Sequence, residues 1–576
     1  MRLLGFLSAA LLAGGAWWAG ALPAGHRTGP AGPFTVALIV CLIGLAGLVA
    51  CWLRVARGLP SSASFSPSPP RSSSPRRSSL PLPLRSRSRS LVRLPSPVRS
   101  LLVTGVLWQL PFLFAPPIGS RDVYSYACQG WIYARSLDPY VTSPRAADCP
   151  WLPGVAELWQ DATTPYGPFA LLISGLAGFS GSWLVALVVL RLCALAGLAL
   201  AAAGVWQLAS SFGFDATRAV WIGLPAPLIA VHAVSGAHHD ALLAGLLLVA
   251  LAWSLRPSPA YATAAGIALG LAAAIKITAL AALPFVLILA LRGRRSRRAA
   301  QLSSADAPET AAIAASGGPG GLRVPAGTDS GTAAVPVMGE SGSLRVPAGT
   351  DPPAEVAAVG DPEPVRSPAA GDGRVGRGPV AVAGGLVGSF ALVTLVSGLG
   401  FGWLAALTSS TGPKQWTSVP TGVGMAVGYL LRAAGLGAHE ETALAVARLA
   451  GIVALAAVGL ICLWGAWKRR ADPRAVVLRA GVVLLAVVVL GPVAYPWYFL
   501  TPVPVLAAAL TTERHLRRLA YGGAFVSLLV LPDGLGIPAL TKAPGAIADL
   551  LLVATALVLA IRRTRRPSTT ASRDPA

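Results

Sequence analysis

Residues 183–206 read WLVALVVLRLCALAGLALAAAGVW, a stretch that contains a single charged side chain. A transmembrane helix needs about 20 consecutive apolar residues, so this stretch is long enough to cross a bilayer. The whole chain has 576 residues, of which 54% are hydrophobic and 12% are charged. Soluble domains carry about 25% charged residues. The composition therefore excludes an ordinary cytosolic enzyme and a wholly disordered chain, and it predicts an all-α polytopic membrane protein.

Similar apolar runs recur and predict about fourteen transmembrane helices. Besides the run quoted above, they cover 3–22, 33–53, 99–116, 218–235, 240–255, 260–275, 277–292, 379–400, 442–467, 475–495, 498–512, 516–533 and 545–561. The first run could also be a signal peptide, but its length and its Trp17-Trp18 pair favour a retained span. Segments 166–181 and 421–436 are predicted to be interfacial, or re-entrant in the case of the first.

The net charge of +23 could suggest a nucleic-acid partner. The basic residues, however, cluster in tracts beside the apolar runs, at 292–298, 468–470, 514–518 and 562–566. If both termini are cytoplasmic, every tract lies on the cytoplasmic face, as the positive-inside rule requires. We therefore predict a multi-pass plasma-membrane protein that contacts the lipid bilayer and no nucleic acid.

Two low-complexity segments interrupt the apolar pattern. Residues 54–98 are rich in Ser, Pro and Arg and predict a disordered basic cytoplasmic loop, with contact to anionic lipid as the alternative. Residues 293–378 predict a cytoplasmic insertion without a catalytic part, and they contain LRVPAGTD twice, at 322–329 and 344–351. The remaining divisions are 1–53 with the first two transmembrane helices, the catalytic core 99–292 with its outer loop 117–168, the C-terminal helices 379–561 and the cytoplasmic tail 562–576.

The first acidic residue of the chain is Asp122, directly after the run 99–116 and therefore at the outer membrane boundary. An ionisable group at membrane depth is costly unless it is paired or solvated, so it marks a candidate functional site. Asp122 could act as a general base, or it could be the N-cap of an interfacial helix. Arg121 could bind a phosphate or keep Asp122 ionised.

The outer loop is dense in aromatic residues that could bind sugar rings or form an interfacial aromatic belt. The candidate substrate-binding residues of this loop are Tyr124, Asp138, Tyr140 and Tyr166. Cys128 and Cys149 share the loop, and an oxidising outer face permits a disulfide between them. Closing about 20 residues would stabilise the loop by roughly 3 kcal/mol.

A second outer cluster is His238-His239-Asp240. Adjacent helical residues point about 100° apart and rarely chelate one ion, so we assign no metal here and favour hydrogen bonding to phosphate or acceptor. A helix start capped by Asp240 is the alternative. Lys276 lies between two short runs and needs an anion, either a lipid phosphate or a carboxylate. Tyr495 and Trp497 could anchor the chain at the interface or form the wall of a lipid-substrate site.

Several of these motifs resemble the actinobacterial polyprenol-phosphate-mannose-dependent α-1,6-mannosyltransferases of the GT-C superfamily. They are SRDVYSY at 120–126, Gln129-Gly130, LDPY at 137–140, PYGP at 165–168, the patch 236–240, Lys276 with Leu283-Pro284, and 495–499. The resemblance covers the chain except for 54–98 and 299–378. It implies a GT-C-like fold, a polyprenyl phosphomannose donor, a mannan or glycolipid acceptor of the lipomannan type, and an active site on the extracytoplasmic face.

The resemblance also implies that Asp122 is the catalytic carboxylate of an inverting transfer. In such a transfer, one base deprotonates the acceptor hydroxyl, and Arg121 and Lys276 would stabilise the departing phosphate. No cofactor is required by the sequence, and a divalent metal stays possible without support from it. The insertion at 293–378 and the Ile277 after Lys276 depart from the family pattern and leave the acceptor open.

Other functions fit less well. A protein O-mannosyl or arabinosyl transferase of the same superfamily would differ in its pocket, which the sequence does not reveal. A lipid or sugar transporter also uses many spans and isolated intramembrane charges, but it should contain inverted repeats, and the chain has no duplicated transmembrane pattern. A membrane scaffold would not explain the acids in the outer loop.

Overall fold

The computed structural model describes residues 1–19, 31–59, 96–291, 377–409, 412–529, 531 and 536–564. Most of the predicted basic loop 54–98, nearly all of the insertion 293–378 and most of the tail 562–576 lie outside these residues. Predictions about those segments therefore stay predictions.

The described residues form helices joined by turns and short loops. The helices of seven residues or more are Arg2–Ala19, Ala31–Gly58, Ser96–Phe114, Asp122–Ala134, Pro168–Gly178, Trp183–Ser211, Ala216–Gly223, Asp240–Trp253, Pro259–Ala273, Leu283–Ala290, Arg377–Ser397, Trp403–Ser409, Val419–Ala433, Glu440–Lys468, Pro473–Leu490, Pro502–Ala509, Glu513–Leu528 and Lys542–Thr564. Shorter α-helical turns are Glu157–Gln160, Ala226–Leu228 and Ile537–Leu540, and 3-10 turns are Leu152–Gly154, Ile277–Ala282, Gly437–His439 and Pro496–Leu500. A π-helical segment covers Ile229–Ser235.

Local sequence explains where several helices begin. The Asp215 carboxylate accepts hydrogen bonds from the backbone N–H groups of Thr217 (2.9 Å) and Arg218 (3.2 Å) and caps Ala216–Gly223. The Asp472 carboxylate caps Pro473–Leu490 in the same way. Proline occupies the first turn of that helix, where its missing N–H costs nothing.

Seven helices in the described part of the chain are long and apolar enough to cross a membrane, or eight if the bent pair Ala216–Gly223 and Ala226–Ser235 is one span. This confirms a helical polytopic membrane protein, but the number is smaller than the fourteen spans predicted. The run 240–255 shows the reason. It forms a 14-residue helix that is buried along almost its whole length. At 1.5 Å per residue it extends about 21 Å, less than the 30 Å of a hydrocarbon core.

Small residues allow the central helices to pack closely. A Cβ atom at Gly197 would lie 2.4 Å from the backbone of Leu242, and one at Gly245 would lie 2.3 Å from the Gly197 carbonyl oxygen. Trp183–Ser211 and Asp240–Trp253 therefore pack backbone against backbone, as membrane helices with small interfacial residues do. This pairing fixes the start of the second helix, where Asp240 lies.

The two segments that were predicted to be interfacial both contain helices. Pro168–Gly178 packs on Asp122–Ala134 so closely that a Cβ at Gly130 would lie 1.7 Å from the Ser174 carbonyl oxygen. Val419–Ala433 packs between Glu440–Lys468 and Lys542–Thr564. Two hydroxyls at its start, Ser418 and Thr421, donate to the carbonyl oxygens of Gly491 and Pro492, each at 2.6 Å. They hold the chain that follows helix Pro473–Leu490.

The residues on either side of the insertion lie in contact. A Cβ atom at Gly378 would be 2.6 Å from the carbonyl oxygen of Ala290. The described chain stops at Leu291 and resumes at Arg377, so the two ends are already adjacent.

Candidate active site

Asp122 opens the helix Asp122–Ala134. The N-cap position belongs to Arg121, which makes no side-chain cap, so Asp122 is the first helical residue and not the cap considered above. Its backbone N–H donates to Ser120 Oγ at 3.0 Å. A carboxylate in the first turn is favoured by the positive end of the helix dipole.

One face of this helix lines a cavity of about 350 Å³. The lining residues are Asp122, Ser125, Tyr126 and Gln129, which are spaced i, i+3, i+4 and i+7. This spacing places all four side chains on the same side of a helix. The helix therefore presents a polar row to the cavity, with Asp122 at its N-terminal end.

The remaining walls come from distant parts of the chain. Polar lining residues include Thr163, Tyr166, Asp240, Lys276, Tyr495, Tyr498 and Thr501. Apolar lining residues include Leu243, Ile277, Leu407, Leu455, Leu484, Val487 and Val488. Leu455, Leu484, Val487 and Val488 belong to helices that are long and apolar enough to span a membrane. The cavity thus joins a polar chamber to an aliphatic wall.

An ion pair between the partly exposed Lys276 and the buried Asp240 lies in the polar chamber. Lys276 Nζ is 3.1 Å from Asp240 Oδ1 and 3.5 Å from the centre of the Tyr498 ring. Asp240 Oδ2 is buried and has no hydrogen-bond partner among the described residues. The segment before Lys276 is fixed by the N–H of Gly167, which donates to Ile275 O at 3.0 Å. Because an ammonium group has three donors, Lys276 retains donors for a ligand.

His238 supports Asp122 from behind the cavity wall. Its Nδ1 atom is 3.8 Å from Asp122 Oδ2 and forms a 3.1 Å hydrogen bond with the Tyr126 hydroxyl. The imidazole stacks on Trp497 at 4.2 Å, and Trp497 stacks on Tyr495 at 4.6 Å. This stack holds His238 in place against the carboxylate.

The two adjacent histidines face different partners. His239 Nε2 forms a 3.3 Å hydrogen bond with Ser174 Oγ, and its ring packs on Tyr126 at 4.2 Å. Directly before them the backbone bends at Ala237, whose φ of +47° is unusual for a residue with a Cβ. Within the described residues there is no group of three or more His, Cys, Asp or Glu side chains that could hold a metal ion.

The surroundings set the protonation of these groups. Burial raises the pKa of Asp122 to about 7; a hydrogen bond with Ser120 lowers it, the Asp240 carboxylate raises it and Lys276 lowers it. Burial lowers the pKa of His239 to about 3, and burial, with smaller effects of His232, Lys276 and His239, lowers the pKa of His238 well below its usual range. Asp122 can therefore exchange a proton near neutral pH, whereas both imidazoles stay neutral.

Some predicted substrate-binding residues lie outside the cavity lining. Tyr124 is buried against Trp183, with ring centres 4.3 Å apart. Asp138 Oδ1 accepts the backbone N–H of Tyr140 at 2.8 Å, and the Tyr140 hydroxyl donates to Tyr166 O at 3.2 Å. These three side chains shape the outer loop, and their direct contact with substrate stays a prediction. Outside the lining are also Arg121, His238, His239 and Trp497.

A disulfide joins Cys128 to Cys149 and ties the helix to the rest of the outer loop. Trp159, which lines the cavity, lies in the same loop. Ser125, Gln129 and Tyr498 lie within the motifs quoted for the resemblance, at 120–126, 129–130 and 495–499, but they were not selected as individual site residues. The helical spacing from Asp122 could have identified the first two.

The comparisons with known proteins agree over most of the chain. A family model described as "Alpha-(1->6)-mannopyranosyltransferase, N-terminal domain" matches residues 2–292, and one described as "MptB C-terminal domain" matches residues 420–560. The alpha-(1->6)-mannopyranosyltransferase A of Mycobacterium tuberculosis is 31% identical over 76% of this chain and 70% of its own length. The alpha-(1->6)-mannopyranosyltransferase B of Corynebacterium glutamicum is 25% identical over 93% of this chain and 77% of its own. No solved structure matches the chain.

Proposed function

Because the chain belongs to the alpha-(1->6)-mannopyranosyltransferase family, we propose that its cavity transfers mannose from polyprenyl phosphomannose to an α-1,6-mannan acceptor of the lipomannan type. The observation that carries the proposal is the composition of the cavity. It brings a carboxylate and a lysine together with an aliphatic wall from membrane helices. A charged sugar phosphate and an apolar lipid are the two halves of such a donor.

The aliphatic wall suits the isoprenoid chain of the donor. Leu484, Val487 and Val488 belong to one helix that is long and apolar enough to span a membrane, and Leu455 belongs to a second. A lipid chain bound along these side chains would keep its apolar surface out of water, which stabilises binding by about 25 cal/mol per Å². The phosphate at the end of the chain would then enter the polar chamber.

The phosphate would meet Lys276. Its ammonium is held by Asp240 and by the Tyr498 ring, so its position is set before the donor binds. A positioned cation stabilises the charge that develops on the leaving phosphate. Arg121 was the second candidate for this role, but it is absent from the cavity lining, so we assign the phosphate contact to Lys276.

Asp122 would serve as the general base. Its carboxylate takes the proton from the acceptor hydroxyl, and the hydroxyl oxygen forms a bond to the anomeric carbon of the donor mannose. The bond from that carbon to the phosphate oxygen breaks, and its electron pair stays on the phosphate. This displacement inverts the anomeric configuration and needs no second carboxylate as nucleophile.

The proposal includes a GT-C-like fold and a location in the plasma membrane with the cavity on the extracytoplasmic face. The positive-inside distribution supports this orientation, since the outer loop lies opposite the basic tracts. The disulfide in the outer loop also supports it, because disulfides persist in oxidising compartments.

The test is mannosyl transfer by purified protein in nanodiscs. The donor is polyprenyl phosphomannose and the acceptor is a short α-1,6-mannoside. We expect the unaltered protein to transfer mannose and Asp122→Asn to lose at least about 100-fold in rate, the usual contribution of a general base. Asp148→Asn is the matched control, because Asp148 is an exposed carboxylate of the same loop outside the cavity lining.

Two results would count against the proposal. Full activity of Asp122→Asn would remove Asp122 from the chemistry. A folded unaltered protein that transfers no lipid-linked mannose would contradict mannosyl transfer and would direct attention to lipid transport.

A further inference from the structure

Two polar atoms on the cavity face of helix Asp122–Ala134 have no partner within the described residues. They are Ser125 Oγ and Gln129 Oε1, and both are buried. A buried polar group without a hydrogen bond costs about 1–3 kcal/mol, so such groups are uncommon unless a ligand or water satisfies them. Both residues line the cavity beside Asp122.

The spacing of Ser125 and Gln129 along the helix suits the binding of one sugar ring. Ser125 and Gln129 are four residues apart on the helix, so their Cα atoms are separated by about 6 Å along its axis. A hydroxyl and an amide at that separation can bond different hydroxyl groups of the same ring. The cavity also contains an aromatic side chain, Trp159, from the same outer loop. Pockets that combine an aromatic wall with a few positioned polar groups orient their ligands.

Ser125, Gln129 and Trp159 come from a different part of the chain than the residues proposed to bind the donor. Ser125, Gln129 and Trp159 all belong to the outer loop 117–168, as does Asp122. Lys276 and the aliphatic wall come from segments further along the chain. The base must contact the acceptor hydroxyl, so residues one and two turns from Asp122 are placed to contact the sugar that carries it.

We infer that Ser125, Gln129 and Trp159 form the acceptor subsite, which binds the ring hydroxyls of the terminal mannose and presents its primary hydroxyl to Asp122. The inference rests on the proposed function and extends it to acceptor specificity. Ser125 and Gln129 bind hydroxyls that do not react, and Trp159 packs against the apolar face of the ring. The subsite therefore selects a pyranose by its ring hydroxyls and leaves the lipid or polymer beyond it unspecified.

The experiment measures the KM values of both substrates for Ser125→Ala and Gln129→Leu in nanodiscs. The acceptors are an α-1,6-dimannoside and its 2-, 3- and 4-deoxy derivatives at the terminal mannose. We expect the acceptor KM to rise about 3- to 10-fold in each variant with the donor KM unchanged, as for the loss of one hydrogen bond. One of the deoxy acceptors should have a raised KM with the unaltered protein. Its KM should show no further rise with the variant that lacks the side chain that binds the missing hydroxyl.

Thermal unfolding separates binding from a structural role. Because Ser125 Oγ bonds nothing within the described chain, Ser125→Ala should leave the Tm unchanged or higher. Gln207→Leu is the matched control for Gln129→Leu, since Gln207 lies in helix Trp183–Ser211 outside the cavity lining, and it should change neither KM.

The outcomes distinguish this inference from the function on which it rests. Absence of transfer by the unaltered protein contradicts the proposed function itself. If transfer occurs and the acceptor KM is unchanged in both variants, the acceptor subsite alone is overturned. The same holds if every deoxy acceptor raises the KM of each variant by the same factor as it raises the KM of the unaltered protein. A rise in the donor KM instead would assign these side chains to the donor mannose and would also overturn it.

Discussion

The carboxyl group of Asp122 is subject to opposing influences. Burial and the neighbouring Asp240 raise its pKa, while Ser120 and Lys276 lower it, and burial is the largest of these effects. His238 faces the same carboxylate at 3.8 Å but stays neutral because burial lowers its own pKa. The result is a carboxyl group that titrates close to the pH at which the enzyme would work.

This protonation equilibrium predicts a pH dependence of transfer. A general base must be ionised to accept a proton, and the pKa of Asp122 is raised to about 7. We expect kcat/KM to be constant above that pH and to fall about tenfold per pH unit below it. The measurement is initial rate at subsaturating acceptor between pH 5 and 9. A profile that stays flat down to pH 5, near the ordinary range of an Asp, would contradict a raised pKa.

At the scale of single residues, the sequence identified the ionisable part of the cavity well. Asp122, Asp240 and Lys276 were selected because a charged group at membrane depth needs a reason to be there, and all three line the cavity. Ser125 and Gln129 were not selected because neither side chain is ionisable or aromatic. Tyr124 was selected for its aromatic ring, but the ring packs on Trp183, and side-chain direction within a helix decides that difference.

Helix Asp122–Ala134 is held at two points that are two residues apart. Cys128 joins it to Cys149, and Gly130 allows Pro168–Gly178 to approach it closely.

At the scale of elements the apolar runs predicted where helices lie, but not which of them are broken. The run 498–512 became a 3-10 turn followed by Pro502–Ala509, because prolines interrupt the hydrogen bonds of a continuous helix.

Gly130→Ala should disturb helix Asp122–Ala134. The added Cβ would lie 1.7 Å from the Ser174 carbonyl oxygen, a backbone atom that cannot turn aside. We expect the two helices to separate, the row that begins with Asp122 to shift, and both Tm and transfer rate to fall, with a destabilisation of about 1–3 kcal/mol as for overpacking in a core. Thermal unfolding and the transfer assay measure this.

The control for that substitution is Gly384→Ala in helix Arg377–Ser397, where a Cβ would meet nothing within 4 Å. It should leave Tm and activity unchanged or slightly raise the Tm, because alanine favours helix more than glycine does. Equal Tm and activity for the two variants would show that the contact at Gly130 does not position the catalytic helix.

At the scale of the whole molecule, the cavity gathers residues from segments separated by more than 300 positions, such as Gln129 and Tyr498. The distribution of basic tracts predicted on which side of the membrane these segments lie. It did not predict that they meet, because this depends on tertiary packing: Trp183–Ser211 packs on both Asp122–Ala134 and Asp240–Trp253, and Asp240–Trp253 contacts the turn at Pro496–Leu500. Composition alone cannot supply such contacts.

The contact between Ala290 and Gly378 predicts that the insertion is dispensable for transfer. The family models match residues 2–292 and 420–560 and leave the insertion unmatched. Replacing 295–374 with a short Gly-Ser linker should keep the Tm and the transfer rate within about twofold, because the joined ends are already adjacent. The two variants to compare are this deletion and the full chain, in the same nanodisc assay. A loss of transfer in a stably folded deletion would give the insertion a catalytic or substrate-binding part.

The same junction bears on how such a segment arises over evolutionary time. When two ends of a loop are fixed in contact, each doubling of its length costs only about 0.6 kcal/mol of closure entropy. A duplication within such a segment therefore has little effect on the free energy of folding and is only weakly selected against. The octapeptide LRVPAGTD occurs at 322–329 and again at 344–351, as expected from a duplication of this kind. Because Ala290 and Gly378 are in contact, residues inserted between them can increase in number with little loss of folding stability.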